Sequence, residues 1–400
     1  MKYLKIISKV LGLVILGALF IVVILSFSPI YNFAEPHPFE GPDVFDPYRN
    51  YDAAVGWKRA NFHTHTRVKG LLNECPQWPD CVEDKYRKLN YDIITYSNHN
   101  EITKHPTDST LQVNVYEQGY NAYKFHKLVF GSKGVIHWDN LFPFLASQKQ
   151  FQLDYLHDSA DFIQFNHPAR TRTINKSQME NLEGYEIIEL DSGKTTENEY
   201  WDWALSAGHY SFGLANDDLH FPDKSGRIAI RCNFVNAESG EYDEIKRVLL
   251  DGAYYSMRVP DYGDGDWEEK YRRNKVLPAI NKIGLLPGDT IFVKLSETAD
   301  SIKVFGQDHA TLMKIIETDS LKYGFRPEDS YARLNIYFPG GEVIYTNPFA
   351  RYDASSSATP MRANAHTINW PLTIIYQLIL LTLAAGVLWL FNKLRKLKIQ

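Results

Sequence analysis

The chain has 400 residues, a formal charge of −5 at pH 7, 44% hydrophobic residues and 14% aromatic residues. This length allows one large catalytic domain and a smaller one, and the apolar content excludes a disordered chain. The two tails contain seven basic residues and no acidic residue, so removing them changes the charge from −5 to −12. An acidic body of this kind argues against nucleic acid as a partner.

The first predicted element is an apolar, uncharged segment at residues 10–30, preceded by Lys2, Lys5 and Lys9. About 20 apolar residues cross a bilayer as a helix, so region 1–30 is predicted to be a membrane anchor. A cleaved signal peptide is the alternative. The apolar run is longer than a usual signal-peptide core and no clear cleavage site follows it, which favours the uncleaved anchor.

The middle of the chain changes character once. Between residues 57 and 258, short apolar runs alternate with helical or loop segments, which predicts an α/β layer or barrel. Between residues 260 and 352, apolar and polar residues alternate with period two, which predicts a small antiparallel β-domain of sandwich type. The polar segment 354–370 is predicted to be a linker.

A second apolar segment at residues 371–391 is predicted to be a C-terminal transmembrane helix. It is followed by Lys393, Arg395, Lys396 and Lys398. Basic residues collect on the cytoplasmic side of membranes, so both tails are predicted to be cytoplasmic. The globular part would then lie on the extracytoplasmic side.

Three cysteines are present. Cys75 and Cys81 bracket a short loop and could form a disulfide in an oxidising compartment. Cys232 lies in an apolar run and is predicted to be a core residue rather than a nucleophile.

The pair His63 and His65 marks the start of a predicted metal site. The two imidazoles stand two residues apart at a predicted strand end and would point to the same face. Further metal-ligand residues follow later strands: His99, Glu117, His126, His167, Asp218 and His220. Strand ends that meet on one face are where α/β proteins place their active sites. Imidazole ligands with a few carboxylates suit Zn²⁺, Mn²⁺ or Fe²⁺, and Glu117 could bridge two ions.

The order of these motifs resembles the polymerase and histidinol phosphatase (PHP) superfamily of metal-dependent phosphoesterases. The resemblance rests on HTHT at 63–66, SNHN at 97–100, Glu117 with His126, NHP at 166–168 and DLH at 218–220. It implies a distorted (β/α)7 barrel over residues 57–258, with two or three metal ions at its strand ends. The β-rich segment after residue 260 also resembles a C-terminal extension of membrane-associated and secreted members.

The resemblance also implies how the ligands divide. One ion would be held by His63, His65, Glu117 and Asp218, a second by Glu117, His126 and His167, and a third position would include His99 and His220. The sequence departs from the family at this third position. The acidic residue expected after HTHT is absent, Lys69 lies near its place, and Asn98 replaces the usual Asp of the second motif. Two ions are therefore expected, with the third left open.

Other polar residues near the motifs have weaker signals. Glu189 and Asp191 end a predicted strand, and a structural role is favoured over a positioning one. Asp217 is interpreted as lying outside the ligand set or at the surface. Arg170 and Arg172 could bind a phosphate, or could belong to a solvated loop.

The predicted function is that of an exported, membrane-anchored hydrolase that uses metal-activated water on small phosphate esters. Its leaving group would be protonated by His99, His220 or solvent. One alternative is hydrolysis of a carboxylic ester, carbamate or amide at the same site. The other is a binding or scaffold module of the cell envelope that has lost catalysis.

Overall fold

The computed structural model describes residues 2–69, 73–192, 195–196, 198–262 and 265–398. Its helices are α1 (Lys2–Leu25), α2 (Pro79–Lys88), α3 (Ala146–His157), α4 (Lys176–Asn181), α5 (Asn198–Ser206), α6 (Tyr242–Asp251), α7 (Trp267–Asn274) and α8 (Trp370–Lys396).

The strands of the first half are β1 (Tyr31–Asn32), β2 (Asp43–Phe45), β3 (Lys58–Asn61), β4 (Ile93–Ile94), β5 (Val115–Gln118), β6 (Lys127–Phe130), β7 (Phe162–Phe165), β8 (Ile187–Ser192) and β9 (Thr195–Thr196). Those of the second half are β10 (Phe212–Ala215), β11 (Arg231–Val235), β12 (Tyr254–Arg258), β13 (Ile280–Leu286), β14 (Thr290–Gly306), β15 (Ala310–Gly324), β16 (Tyr331–Tyr337), β17 (Val343–Thr346), β18 (Phe349–Tyr352) and β19 (Thr367–Ile368).

The described strands form two large sheets and a small ribbon. One sheet has the order β10–β8–β7–β6–β5, with β9 added to β8. The other has the order β13–β14–β16–β17–β12–β11–β3–β4, with β15 on β14, β18 on β16 and β2 on β18. The ribbon pairs β1 with β19. Two isolated parallel bridges, Thr64–Leu219 and His99–Glu117, join the sheets where the predicted ligands lie.

The chain is a mixed α/β protein, as the sequence predicts. β3 and β4 belong to the sheet that continues into the β-rich second part, because β12 pairs with β17. Alternation of apolar residues predicts that a strand exists but not which distant strand it pairs with. The boundaries at residues 57–258 and 260–352 stay predictions.

The two parts are also joined by a buried cluster of charges around Asp191. Its Oδ1 accepts hydrogen bonds from Arg231, and its Oδ2 accepts them from Arg258 and from the Tyr345 hydroxyl. Asp191 is fully buried, so its charge is stabilised by these partners rather than by water. The structural role predicted for Asp191 agrees with this placement.

The terminal helices α1 and α8 are long and apolar enough to cross a membrane, and they pack against each other. The sequence predicts that segment 354–370, between the β-rich part and α8, is a linker. In the structure this segment contacts the rest of the protein. Its His366 lies between Asp154 and Glu183, with each ring nitrogen 3.0 Å from a carboxylate oxygen. Composition predicted a solvated segment because it cannot show that these two acidic partners face it.

The cysteines are not paired in the structure. Cys75 is buried and its Sγ lies 3.8 Å from the carbonyl oxygen of Gln77, whereas Cys81 is exposed on α2. The disulfide that the sequence allowed is therefore absent, since one thiol faces the interior and the other faces solvent. Cys232 is fully buried, as predicted for a core residue.

The Asp191 cluster leads to a stability prediction. Replacing Asp191→Asn removes the charge that two arginines share, so we expect a loss of about 3–5 kcal/mol in the free energy of unfolding. Thermal unfolding of the detergent-solubilised full chain, followed by near-UV circular dichroism, measures it. Asp319→Asn, which removes an exposed partner of Lys294, is the control and should leave the unfolding temperature unchanged. Equal unfolding temperatures of the two variants would contradict the stabilising role of the Asp191 cluster.

Candidate metal centre

The predicted ligands converge at one end of the two sheets. His63 and His65 follow β3, His99 follows β4, Glu117 lies in β5, His126 precedes β6, His167 follows β7, and Asp218 and His220 follow β10. β6 runs antiparallel to its neighbours, so its start lies at the end where β5 and β7 finish. This explains why His126 joins the group from the beginning of a strand.

Glu117 occupies the centre of the cluster. Its Oε2 lies 3.3 Å from His63 Nε2, 3.1 Å from His65 Nε2 and 3.0 Å from His99 Nε2. Its Oε1 lies on the other side, 3.1 Å from His126 Nδ1 and 3.4 Å from His167 Nε2. The two oxygens of one carboxylate thus face different sets of imidazoles, which is the arrangement of a bridging ligand.

Asp218 completes the first set. Its Oδ1 lies 3.2 Å from His63 Nε2 and 3.3 Å from His65 Nε2. One donor atom each from His63, His65, Glu117 and Asp218 falls within 4.8 Å of the others. The other oxygen of Asp218 accepts a hydrogen bond from Arg170.

Glu74 brings a carboxylate to His65 and His99, where the sequence analysis found no acidic residue. Its Oε2 lies 3.3 Å from His99 Nε2 and 3.5 Å from His65 Nδ1, and these three residues form a further set with donors within 4.8 Å. Lys69, expected near this place, is exposed on the same loop. Glu74 stands nine residues after His65, farther along the chain than the acidic residue that the resemblance leads one to expect directly after HTHT. A hydrogen bond from Arg67 N–H to the carbonyl of Gln77 closes the loop that carries Glu74.

The remaining predicted ligands lie at the edges of this arrangement. His99, Glu117 and His126 form a third set with donors within 4.8 Å. The His220 ring stands 4.5 Å from that of His65, centroid to centroid. His167 approaches Glu117 as described. All eight predicted ligands are therefore within one connected cluster.

Glu189 was underestimated by sequence reasoning. His63 Nδ1–H donates to its Oε1 at 2.9 Å, and the backbone N–H of His167 donates to its Oε2 at 3.1 Å. It therefore fixes the tautomer of His63 and leaves Nε2 free for an ion. Asn166 acts similarly on Glu117, donating to Oε1 at 3.0 Å. The sequence contains a signal for this role of Glu189, because Glu189 and Asp191 are two carboxylates close together at the end of a predicted strand.

Two other acidic or amide positions have structural roles. Asp217 is buried and accepts hydrogen bonds from the Tyr86 hydroxyl and from the backbone N–H groups of residues 229–231, so it does not lie at the surface. Asn98, which stands where the motif resemblance leads one to expect Asp, accepts from the backbone N–H of Thr66 and donates to its hydroxyl. It braces the loop that carries His65.

Two of the predicted ligands have left-handed backbone conformations that non-glycine residues rarely adopt. His167 has φ 30° and Asp218 has φ 48°. Each such residue costs about 1–3 kcal/mol and persists only where the surroundings fix it. The hydrogen bond from the His167 backbone to Glu189 and the Arg170 contact of Asp218 supply that constraint.

The cluster fits a metal centre on two observations. His63 Nε2 and His65 Nε2 are buried and make no hydrogen bond to any atom of the described residues, although they face carboxylates. Burial alone would lower the pKa of His65, but Asp218 and Glu117 raise it to about 9. Burial also disfavours charge on Glu117, yet the imidazoles of His99 and His63 hold its pKa well below the usual range. Charged carboxylates and directed ring nitrogens are the donors that divalent transition metals require.

The imidazoles farther out behave differently. Burial lowers the pKa of His99 to about 3, and burial together with Arg170 lowers that of His167 to about 4. Burial also lowers the pKa of His220. These three side chains are therefore neutral near pH 7 and ready to coordinate.

Comparisons with known proteins give a distant likeness. No protein-family model matches the chain, and no curated protein matches it. Among solved structures, it is similar to a two-domain protein from Bacteroides vulgatus described as containing a predicted PHP-like metal-dependent phosphoesterase. The identity is 16%, the TM-score is 0.38, and the alignment covers 79% of this chain and 100% of the other.

Metal affinity should depend on pH in a defined direction. An ion must displace the proton from His65, whose pKa is about 9 in the metal-free site, so affinity should rise with pH and level off above about pH 9. Competition with a chelating dye at pH 6.5, 7.5 and 8.5 measures this. Flat affinity over this range would contradict the assignment of His65 as a ligand.

Glu189→Gln tests the orienting role. The amide keeps the shape but can present an N–H to His63 Nδ1, so metal affinity should fall about 10- to 100-fold. Calorimetric titration of the purified protein with Zn²⁺ or Mn²⁺ measures it. Glu186→Gln, which changes a carboxylate paired with the half-exposed His157 away from the cluster, is the control. Equal affinity in both variants would argue against the role.

Proposed function

We propose that this protein is a membrane-anchored, metal-dependent phosphoesterase. The observation that carries this proposal is the position of Glu117, whose two oxygens face separate groups of imidazoles. Such a carboxylate suits two ions about 3.5–4 Å apart, the arrangement of many phosphate-cleaving sites. Zn²⁺, Mn²⁺ and Fe²⁺ suit the donor set.

Arg170 supports phosphate over a carboxylic ester as the reacting group. Burial alone would lower the pKa of this guanidinium, but the contact with Asp218 raises it, so Arg170 is a permanent cation at the edge of the cluster. Its Nε is buried and has no hydrogen-bond partner among the described residues. A guanidinium with an unused donor can bind a phosphoryl oxygen, whereas a neutral ester offers no matching charge.

The proposed reaction is hydrolysis. When bound, the ions would supply an activated water and neutralise charge on the phosphoryl oxygens. The water oxygen bonds to phosphorus, the bond from phosphorus to the ester oxygen breaks, and that oxygen takes a proton. His99 and His220 have lowered pKa values and are neutral near pH 7, so the proton is expected to come from solvent.

The anchoring part of the proposal rests on the two ends of the chain. α1 and α8 are long and apolar enough to span a bilayer. Basic residues lie at the N-terminal end of α1 and at the C-terminal end of α8. By the preference of such residues for the cytoplasmic side, the metal cluster lies outside the cytoplasm.

The test compares substrates and arginine variants. Full-length protein loaded with Mn²⁺ or Zn²⁺ should hydrolyse an aryl phosphate faster than an aryl ester. Arg170→Ala should lower kcat/KM for the phosphate about 10- to 100-fold, because a hydrogen bond to a charged group is lost, with a smaller effect on the ester. Arg172→Ala is the matched control, since Arg172 is exposed two residues away.

The same preparation gives a second readout that does not depend on activity. Elemental analysis should find about two transition metal ions per chain in the wild type and in Arg170→Ala. Faster cleavage of the aryl ester would favour the alternative hydrolase, and fewer than about one ion per chain would overturn the enzyme.

A further inference from the structure

The globular part of the protein contacts the terminal helices at the same end that carries the candidate metal centre, which we call the metal cluster. α3 precedes β7 in the chain, and Lys127 Nζ, at the start of β6 beside the end of β7, donates to Gln152 Oε1 of α3 at 2.8 Å, so α3 reaches the end of β7 that carries His167. The loop before α3 contacts the loops around the cluster. Asp139 accepts from the backbone N–H of Tyr120 at 2.6 Å, and Pro143 accepts from the Thr173 hydroxyl at 3.3 Å.

The first turn of α3 is hydrogen-bonded to the terminal helices. Gln148 Nε2–H donates to the Tyr376 hydroxyl of α8 at 2.9 Å, and this hydroxyl donates to the carbonyl of Ser26, just after α1, at 3.0 Å. The backbone N–H of Tyr31 donates to the Ser147 hydroxyl at 3.0 Å. Both helices are therefore fixed against the same point of the body.

The turn before α3 exposes apolar side chains at this point. Phe142, Phe144 and Leu145 are exposed, Phe144 to 64%. The turn is rigidly held, because Gln148 Oε1 accepts hydrogen bonds from the backbone N–H groups of both Phe144 and Leu145 at 2.9 Å. One side chain, Gln148, thus connects the apolar turn to the transmembrane helix.

Aromatic residues continue from this turn to the cluster. Tyr123 packs against Phe142 and Phe144 at centroid distances of 6.1 and 6.5 Å. Tyr120, exposed as well, stands 5.6 Å from the His99 ring, and the exposed Phe221 stands 6.4 Å from the His220 ring. Exposed aromatic residues beside membrane helices are typical of the bilayer interface, where such rings bind favourably.

We propose that the metal cluster opens toward the bilayer surface and that its substrate is a phosphate ester carried by a membrane lipid. The inference rests on the proposed phosphoesterase activity and specifies where its substrate lies. If α1 and α8 cross the bilayer, Ser26 and Tyr376 place the turn at Phe142–Leu145 at headgroup depth. A lipid phosphate at this depth reaches the cluster laterally, without leaving the membrane, and hydrolysis breaks its phosphorus–oxygen bond with water as described.

A fluorescence measurement tests the membrane contact without any catalysis. Phe144→Trp in full-length protein, reconstituted in phosphatidylcholine vesicles with brominated acyl chains, should show quenching of the added fluorescence relative to the wild type. Ile316→Trp is the matched control, because Ile316 is exposed to 63% on β15, in the other sheet. Equal quenching at both positions, or none at residue 144, would overturn the proposed orientation.

A kinetic measurement tests the substrate. Wild-type protein in phosphatidylcholine vesicles containing phosphatidic acid should release phosphate with a higher kcat/KM than from glycerol phosphate in solution. The double variant Phe144→Ser, Leu145→Ser should lower the ratio of the lipid rate to the aryl phosphate rate at least about tenfold, whereas Ile316→Ser should leave this ratio unchanged.

The outcomes separate this inference from the proposed function. Hydrolysis of the aryl phosphate without preference for the lipid, or a ratio that the double variant does not change, would overturn the lipid assignment and leave the phosphoesterase intact. If metal-loaded protein cleaves neither the aryl phosphate nor the lipid, the phosphoesterase itself is wrong and the lipid assignment falls with it.

Discussion

A single buried carboxylate organises this molecule. Glu117 is 1% exposed, and five imidazoles and the amide of Asn166 surround its two oxygens. A buried charge of this kind would be strongly unfavourable without such partners. The partners come from both sheets, and the bridge between His99 and Glu117 joins the sheets directly. The side chains that stabilise the buried charge of Glu117 therefore lie where the two sheets contact each other.

The same requirement explains why ions fit. In the metal-free cluster, the charge of Glu117 and Asp218 is balanced by protons on His63 and His65, as their raised pKa values indicate. A divalent ion held by these residues would replace the protons and would satisfy the carboxylates and ring nitrogens together. Glu189 holds the far side of His63, so binding changes the charge at the centre and leaves the orientation of that imidazole set.

How much of this could be predicted from the sequence depends on the range of the interactions. The His63–His65 pair was identifiable because ligands follow strand ends and alternate along the chain. Glu74 was not, because only the folding of its loop brings it back to His99. The pairing of β12 with β17 was hidden for a similar reason, since it depends on edges that meet in space. Local pattern located most of the candidate site, and tertiary contact completed it.

The junction with the terminal helices shows what tertiary contact adds to the local sequence pattern. A flexible linker fixes only how far a domain can stray from its anchor, whereas a folded junction also fixes its orientation. Here β1 pairs with β19, and Asp154 of α3 contacts both the Tyr31 hydroxyl and His366. The His366 pKa is raised to about 9 by hydrogen bonds to Asp154 and Glu183, so His366 carries a positive charge at neutral pH. α3 therefore contacts both terminal segments through Ser147, Gln148 and Asp154, and its first turn follows the apolar turn beside the cluster. One helix thus fixes the orientation of the cluster relative to the two terminal helices.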